Sequence, residues 1–221
     1  MCGRFTNKMT WQEIHDLYDI TNVDFRPNIR PNYNIAPTHI VPVIRSSGNG
    51  PNLAMMRWGF EEPWAKSSII NATAGKVATS RVFKMSFEER RCLVPSDGFY
   101  EWKKAVDGKR RPFRICMSDE SSFAFAGIWR VWTADKDSKD FAAGDKVDTF
   151  TIITTSANEL TNTIHNRMPV ILDRGQHAQW LDDGGLELLR PFPAERMIAY
   201  EVGTRVNSVR NNDPDCLTPL S

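Results

Sequence analysis

Turn signals recur at short intervals along this chain, and the segments between them alternate in strand fashion. RSSGNGPN (45–52) separates IVPVI (40–44) from LAMMRWGF (53–60), which predicts a hairpin and not a linker between domains. VPSDGFYEWKK runs into AVDGKRRPFRICM with Asp107-Gly108 as the turn, and SFAFAGIWRVW and DTFTIITT follow, both rich in β-branched and aromatic residues. Helices are few, each announced by a capping pair: Thr10 with Glu13, Ser86 with Glu89, Ser156 with Glu159, and Asp173 with Gln176. The first carries Trp11, Ile14, Leu17 and Tyr18 on one face, and the last ends at Gly184-Gly185. Many strands with a few peripheral helices predict an α+β fold. The expectation is a single domain over residues 1–221, built on a curved, barrel-like and mostly antiparallel β-sheet core.

The bulk properties exclude several function classes. No stretch approaches the roughly 20 apolar residues of a membrane helix, and the N-terminus lacks the apolar run of a secretory signal. The expected address is the cytoplasm for a bacterial source and the nucleus for a eukaryotic one. The four cysteines (Cys2, Cys92, Cys116, Cys216) are scattered without a CxxC, which reads as free thiols. The four histidines (His15, His39, His165, His177) show neither HxxxH nor HExxH spacing, so no metal site is expected. A formal net charge of +1 argues against a protein that coats long nucleic acid and leaves room for a local patch.

The opening MCGRF places a thiol at position 2, where loss of Met1 would give an N-terminal cysteine. Such a residue carries an amine and a thiol on adjacent carbons, and its amine titrates at roughly 7.7–8.0, so part of it is neutral at physiological pH. Three polar residues lie in otherwise strand-like or apolar stretches: Asn71 in SSIINA, Glu101 in DGFYEW and His165 in TIHNRMP. Each alone has a structural explanation, as turn former, solvated strand residue paired with Lys103, and helix end. Taken with Cys2 they form a coherent chemical set of nucleophile, carboxylate, imidazole and amide. The basic run KRR (109–111) reads as a solvated hairpin and not a binding surface.

MCGRF, YNIAP (33–37), RWGF (57–60), INA (70–72), SDGFYEWKK (96–104), HNRMPVIL (165–172) and VNSVRNNDPDCLTP (206–219) follow in one order over nearly the whole chain. This set resembles the SOS-response-associated peptidase (SRAP) family, covalent sensors of abasic sites in single-stranded DNA. The resemblance implies that, once Met1 is removed, the Cys2 amine attacks the ring-opened sugar aldehyde and the thiol closes a thiazolidine on the same carbon. By the same likeness Glu101 handles the amine proton and takes part in Met1 removal. His165 acts as general acid–base on the sugar, and Asn71 holds Cys2 and the lesion in register. The peptidase label concerns Met1 removal and self-release of the adduct. DNA contacts are implied for Arg4, Trp64, Arg81, Lys84, Trp102, Thr154 and Arg167, with Trp64 stacking on a base. Phe83 reads as a core residue. No cofactor is implied, and the expected partner is abasic single-stranded DNA, met by a monomer with no membrane association.

One departure stands out. The family continues its asparagine as N-A-R-x-E-T, whereas this chain reads NATAGK at 71–76, with Thr73 in place of a DNA-contacting arginine and Gly75 in place of a glutamate. Loss of a phosphate contact weakens affinity and flattens its salt dependence, with Lys76 a partial substitute. Two other readings use the same residues. One is an N-terminal-nucleophile amidohydrolase or peptidase acting through Cys2 and His165, which calls for a closed pocket. The other is a single-strand binding module without covalent chemistry.

Overall fold

The computed structural model describes residues 2–22, 24–138 and 140–220. Met1, and with it the expectation that it is removed, lies outside the described residues. In chain order the elements are β1 (Phe5–Asn7), α1 (Trp11–Tyr18), β2 (Asn32–Ile35), β3 (Ile40–Ser47), β4 (Gly50–Trp58), β5 (Asn71–Thr73), α2 (Ala74–Val77) and α3 (Lys84–Glu89). There follow β6 (Arg91–Ser96), β7 (Gly98–Lys104), β8 (Arg110–Met117), β9 (Phe123–Thr133), β10 (Lys146–Ser156), α4 (Glu159–Asn162), β11 (Arg167–Pro169), β12 (Ile171–Leu172), α5 (His177–Asp182) and β13 (Met197–Glu201).

Five strands close into a ring in the order β10-β4-β3-β6-β9, with β9 pairing back to β10 from Lys146↔Thr133 to Ile152↔Gly127. Its pairings are antiparallel except β10 with β4, which run parallel at Thr149↔Arg57 and Phe150↔Trp58. A second sheet, β13-β8-β7-β1-β2, is antiparallel throughout. The single α+β domain with a barrel-like core expected above is therefore what forms.

Alternate residues of the ring strands serve two cores, as the two-residue period of a strand requires. Val43, Met56, Trp58, Val94, Phe125, Phe150 and Ile152 pack with Phe5, Phe99 and Ile115 of the second sheet. Leu53, Leu93, Ala126, Ile128 and Ile153 pack beneath Ile14 and Tyr18 of α1, Phe87 of α3 and Trp180 of α5. Gly127 is needed where strands cross closely, because a Cβ there would lie 2.9 Å from Cys92 Sγ.

The hairpin expected at 45–52 is tighter than the sequence break suggests. Pairing runs on to Ser47↔Gly50, and Gly50 adopts a φ of 105°. Thr10 and Glu13 form the expected capping box on α1, as do Asp173 and Gln176 on a single 3-10 turn that leads into α5. The other two caps are corrected. Phe83 occupies the N-cap position of α3, with Ser86 buried inside the helix. Asn158, not Ser156, caps α4 and accepts the Thr161 N–H at 2.8 Å. Ser156 remains in β10, paired with Arg167.

Candidate active site

The site begins with strand register. β1 pairs with β7 through Phe5↔Phe99 and Thr6↔Gly98, and the Tyr100 N–H donates to Arg4 O at 2.9 Å beyond that ladder. Extended by two residues, the same register sets Gly3 opposite Glu101. A buried polar network holds β1 in place. Asp97 accepts from Thr6 Oγ1 at 2.6 Å, from the Lys8 N–H at 2.6 Å and from Arg114 Nη2 at 2.9 Å. The buried Asp97–Arg114 pair is thus bridged directly, Arg114 Nη2 also donating to Asp97 O at 3.0 Å and Nη1 to the Tyr200 hydroxyl at 2.9 Å, which offsets part of the cost of burying the two charges.

Asn71 arrives from another part of the chain. It opens β5, which lies parallel to β10 with Asn71 level with Ile152, and its Nδ2 donates to Cys2 O at 2.8 Å. Glu101, nearly fully buried on β7, lies close enough to the Cys2 thiol for its charge to act on it. His165 sits between α4 and β11, where its Nδ1 accepts the Arg167 N–H at 3.0 Å. In the neutral ring this leaves the proton on Nε2. Gly3, Glu101, Trp102, Arg110, His165 and Asn207 line one open depression of about 520 Å³. The four residues nominated for chemistry thus converge: Cys2 touches Asn71 and feels Glu101, while Glu101 and His165 share the depression beside Gly3.

Cys2 itself is fully buried, and its Sγ–H donates to Arg4 O at 3.9 Å. Burial pushes the thiol far above its ordinary pKa, and the Glu101 charge pushes it further, with the Arg4 main chain opposing. The resting group is a thiol.

The residues nominated for DNA contact divide. Trp102 lines the depression, donates its indole N–H to Asn207 Oδ1 at 2.8 Å and has the Arg4 guanidinium 5.8 Å from its ring centroid. Arg4 is half-buried. Its Nη1 donates to Asn34 Oδ1 and to Val206 O, both at 2.6 Å, and burial lowers its pKa. Arg167 Nη2 donates to Thr154 O at 2.5 Å and to Thr154 Oγ1 at 2.9 Å. Thr154 is itself fully buried, so its connection to the surface runs through Arg167. Trp64 (68% exposed), Arg81 and Lys84 are exposed and do not line the depression, and Lys84 lies 3.9 Å from Glu88. Phe83 packs against the helix-side core and tilts onto Phe60. Thr73 pairs with Thr154 inside the sheet, and Gly75 and Lys76 are exposed on α2.

Besides Gly3, two lining residues, Arg110 and Asn207, were not singled out from the sequence. Arg110 belongs to the run read as a solvated hairpin, yet Lys104↔Arg110 and Trp102↔Pro112 put residues 102 and 110 on one face of β7–β8. Counting outward from the Asp107-Gly108 turn exposes that parity. Asn207 lies in the C-terminal motif, on a segment fastened by Asn34. The Asn34 Nδ2 donates to the carbonyls of Val206, Ser208 and Asn211 at 3.3, 3.0 and 2.8 Å. Among the described residues no cluster of three His, Cys, Asp or Glu could hold a metal, and no helix is long and apolar enough to cross a membrane.

The chain is similar to known proteins over its whole length. The chain is 36% identical to the abasic site processing protein YoaM of Bacillus subtilis, over 98% of this chain and 97% of that one. It is 29% identical to the abasic site processing protein YedK of Escherichia coli over the full length of both. A crystal structure of a Bacteroides thetaiotaomicron protein superposes over the full length of both chains with a TM-score of 0.83 at 26% identity. The profile of one family matches residues 1–209. The chain belongs to the SOS response associated peptidase (SRAP) family.

Proposed function

We propose that this protein processes abasic sites in single-stranded DNA by forming a covalent cross-link through Cys2 once Met1 has been removed. The observation that carries the proposal is the meeting of three distant segments at one residue: Asn71 bonded to Cys2 O, and Glu101 acting on the Cys2 thiol. Relatives spanning the whole chain bear the name of abasic site processing proteins, which supports the substrate class.

The amine leads in this mechanism, because a buried thiol with a raised pKa is a poor first nucleophile. The neutral amine adds to the ring-opened C1′ aldehyde, and water leaves to give an imine. The thiol then adds across the C=N bond. Sulfur bonds to C1′, the sulfur proton ends on nitrogen, and a five-membered thiazolidine closes. Glu101 takes up the proton of the α-ammonium, and His165 exchanges a proton with the sugar oxygen. The imidazole holds an acceptor-ready Nδ1 against the Arg167 N–H, and the Arg167 carbonyl, 3.3 Å away, would receive Nδ1–H in the imidazolium. Both protonation states therefore have a partner. Asn71 positions the Cys2 carbonyl, and so the amine beside it.

The depression is open and is walled by Trp102 and Arg110, which suits a strand of DNA better than the closed pocket an amidohydrolase would need. The test is a denaturing gel after incubation with an abasic single-stranded oligonucleotide. A band that survives heat and denaturant, and is lost in Cys2→Ala, is the expected result. An equal band from Cys2→Ala, or none from the native protein lacking Met1, would refute the mechanism.

A further inference from the structure

Two of the cations expected to meet DNA, Arg4 and Arg167, already have protein partners. Arg4 donates to Asn34 and Val206, and Arg167 donates to Thr154. Thr73 stands where the family pattern has an arginine. Within the depression one guanidinium is differently placed. Arg110 is exposed and, among the described residues, has no carboxylate within ion-pair distance, whereas its neighbour Arg111 lies near Asp107 and Glu201 at 4.0 and 3.9 Å. Asn207 lines the same wall. The indole N–H of Trp102 can only donate, so Asn207 must present Oδ1 to it at 2.8 Å. That fixes the amide and leaves Nδ2, which has no acceptor among the described residues, as a free donor.

We propose that Arg110 and Asn207 form a phosphodiester subsite that holds the strand next to the reacting sugar, the charge and the oriented amide together supplying what Thr73 cannot. The assignment rests on the abasic-site reading above. Trp102 is the brace of the subsite, and the β7–β8 hairpin delivers Arg110 to it through the Trp102↔Pro112 and Lys104↔Arg110 register. A guanidinium suits this task because its planar fork can engage two phosphate oxygens at once.

The experiment measures binding of an undamaged single-stranded oligonucleotide against salt concentration, so its outcome is independent of cross-linking. One phosphate contact contributes about 0.7 to the slope of log affinity on log salt for a single strand. Arg110→Gln should flatten the slope by about 0.7, so that its disadvantage against the native protein shrinks about 2.6-fold over a fourfold rise in salt. Arg110→Lys should restore the slope. Asn207→Asp keeps the acceptor for Trp102 but turns the donor into a repelling carboxylate, and should weaken binding. Arg174→Gln, which removes the same charge away from the depression, should leave the slope unchanged. Parallel salt plots for Arg110→Gln and the native protein would overturn the subsite, as would an equal flattening in Arg174→Gln. Reduced adduct yield in Arg110→Gln at saturating protein would also overturn it, by moving the residue into the chemistry. A native protein that forms no adduct refutes the abasic-site reading, while the salt slopes decide the subsite on their own.

Discussion

Replacing Asn34 should release the C-terminal segment from the wall of the site, and the size of the loss follows from its hydrogen bonds. The residue is almost completely buried. Its amide donates to the carbonyls of Val206, Ser208 and Asn211, and its Oδ1 accepts from Arg4 Nη1 at 2.6 Å. An amide nitrogen has two protons, so two bonds' worth of donation is lost in Asn34→Ala, at about 1 kcal/mol each, together with about 2 kcal/mol for the charged Arg4 bond. The sum, about 4 kcal/mol, corresponds to a fall in Tm of roughly 10 °C for a chain of this size. Asn34→Asp separates the two parts. It keeps an acceptor for Arg4 but faces three carbonyl oxygens with no proton, so it should still cost about 2 kcal/mol or more. Denaturant unfolding gives the stabilities, and limited proteolysis reads the segment directly, with cleavage among residues 204–217 appearing first in both variants. Native stability in Asn34→Asp, or a loss below about 1 kcal/mol in Asn34→Ala, would show that the amide does not fasten the segment.

His165→Ala should slow adduct formation by at least tenfold while changing affinity for undamaged DNA little, as gel time courses and binding titrations would reveal; equal losses in both would make His165 structural. Trp64→Ala removes a ring that is 68% exposed and should weaken single-strand binding by about 1–3 kcal/mol, the worth of one stacked base; unchanged affinity in a titration would remove Trp64 from the interface. Burial lowers the pKa of His177, against the opposing effect of its bond to the Leu172 main chain, so below the unfolded histidine value of about 6.5 the unfolded chain binds the extra proton. Stability should therefore fall as pH drops through that value, and His177→Phe should flatten the decline; identical pH profiles by thermal unfolding would contradict it.

Features set by nearby residues were legible in the sequence. The Asp107-Gly108 turn and the capping boxes at Thr10 and Asp173 depend on neighbours a few positions away, and they form. Ser86 matched the same local pattern, but burial beneath the helix-side core absorbed it into α3 and shifted the start to Phe83. The parallel pairing of β10 with β4 that closes the ring joins segments far apart in sequence, and no turn residue announces it. The site was legible as a set of motifs, through Cys2, Asn71, Glu101 and His165. What those motifs did not disclose was the competition for each group: that Arg4 is held by Asn34 and Val206, that Thr154 is buried under Arg167, and that the Cys2 thiol is enclosed. Such commitments depend on which acceptors the tertiary fold brings within reach.

The ring of strands also has a consequence for biosynthesis. β3, β4 and β6 emerge from the ribosome early, but the strand that seals them together is β10, ending at Ser156. Until then the edge of β4 has no neighbour, and apolar side chains such as Trp58 and Val94 lack the Phe150 and Ile152 that later cover them. Nascent chains halted before residue 156 should therefore be the adhesive species, captured by chaperones, whereas those a few dozen residues longer can shut the ring and escape.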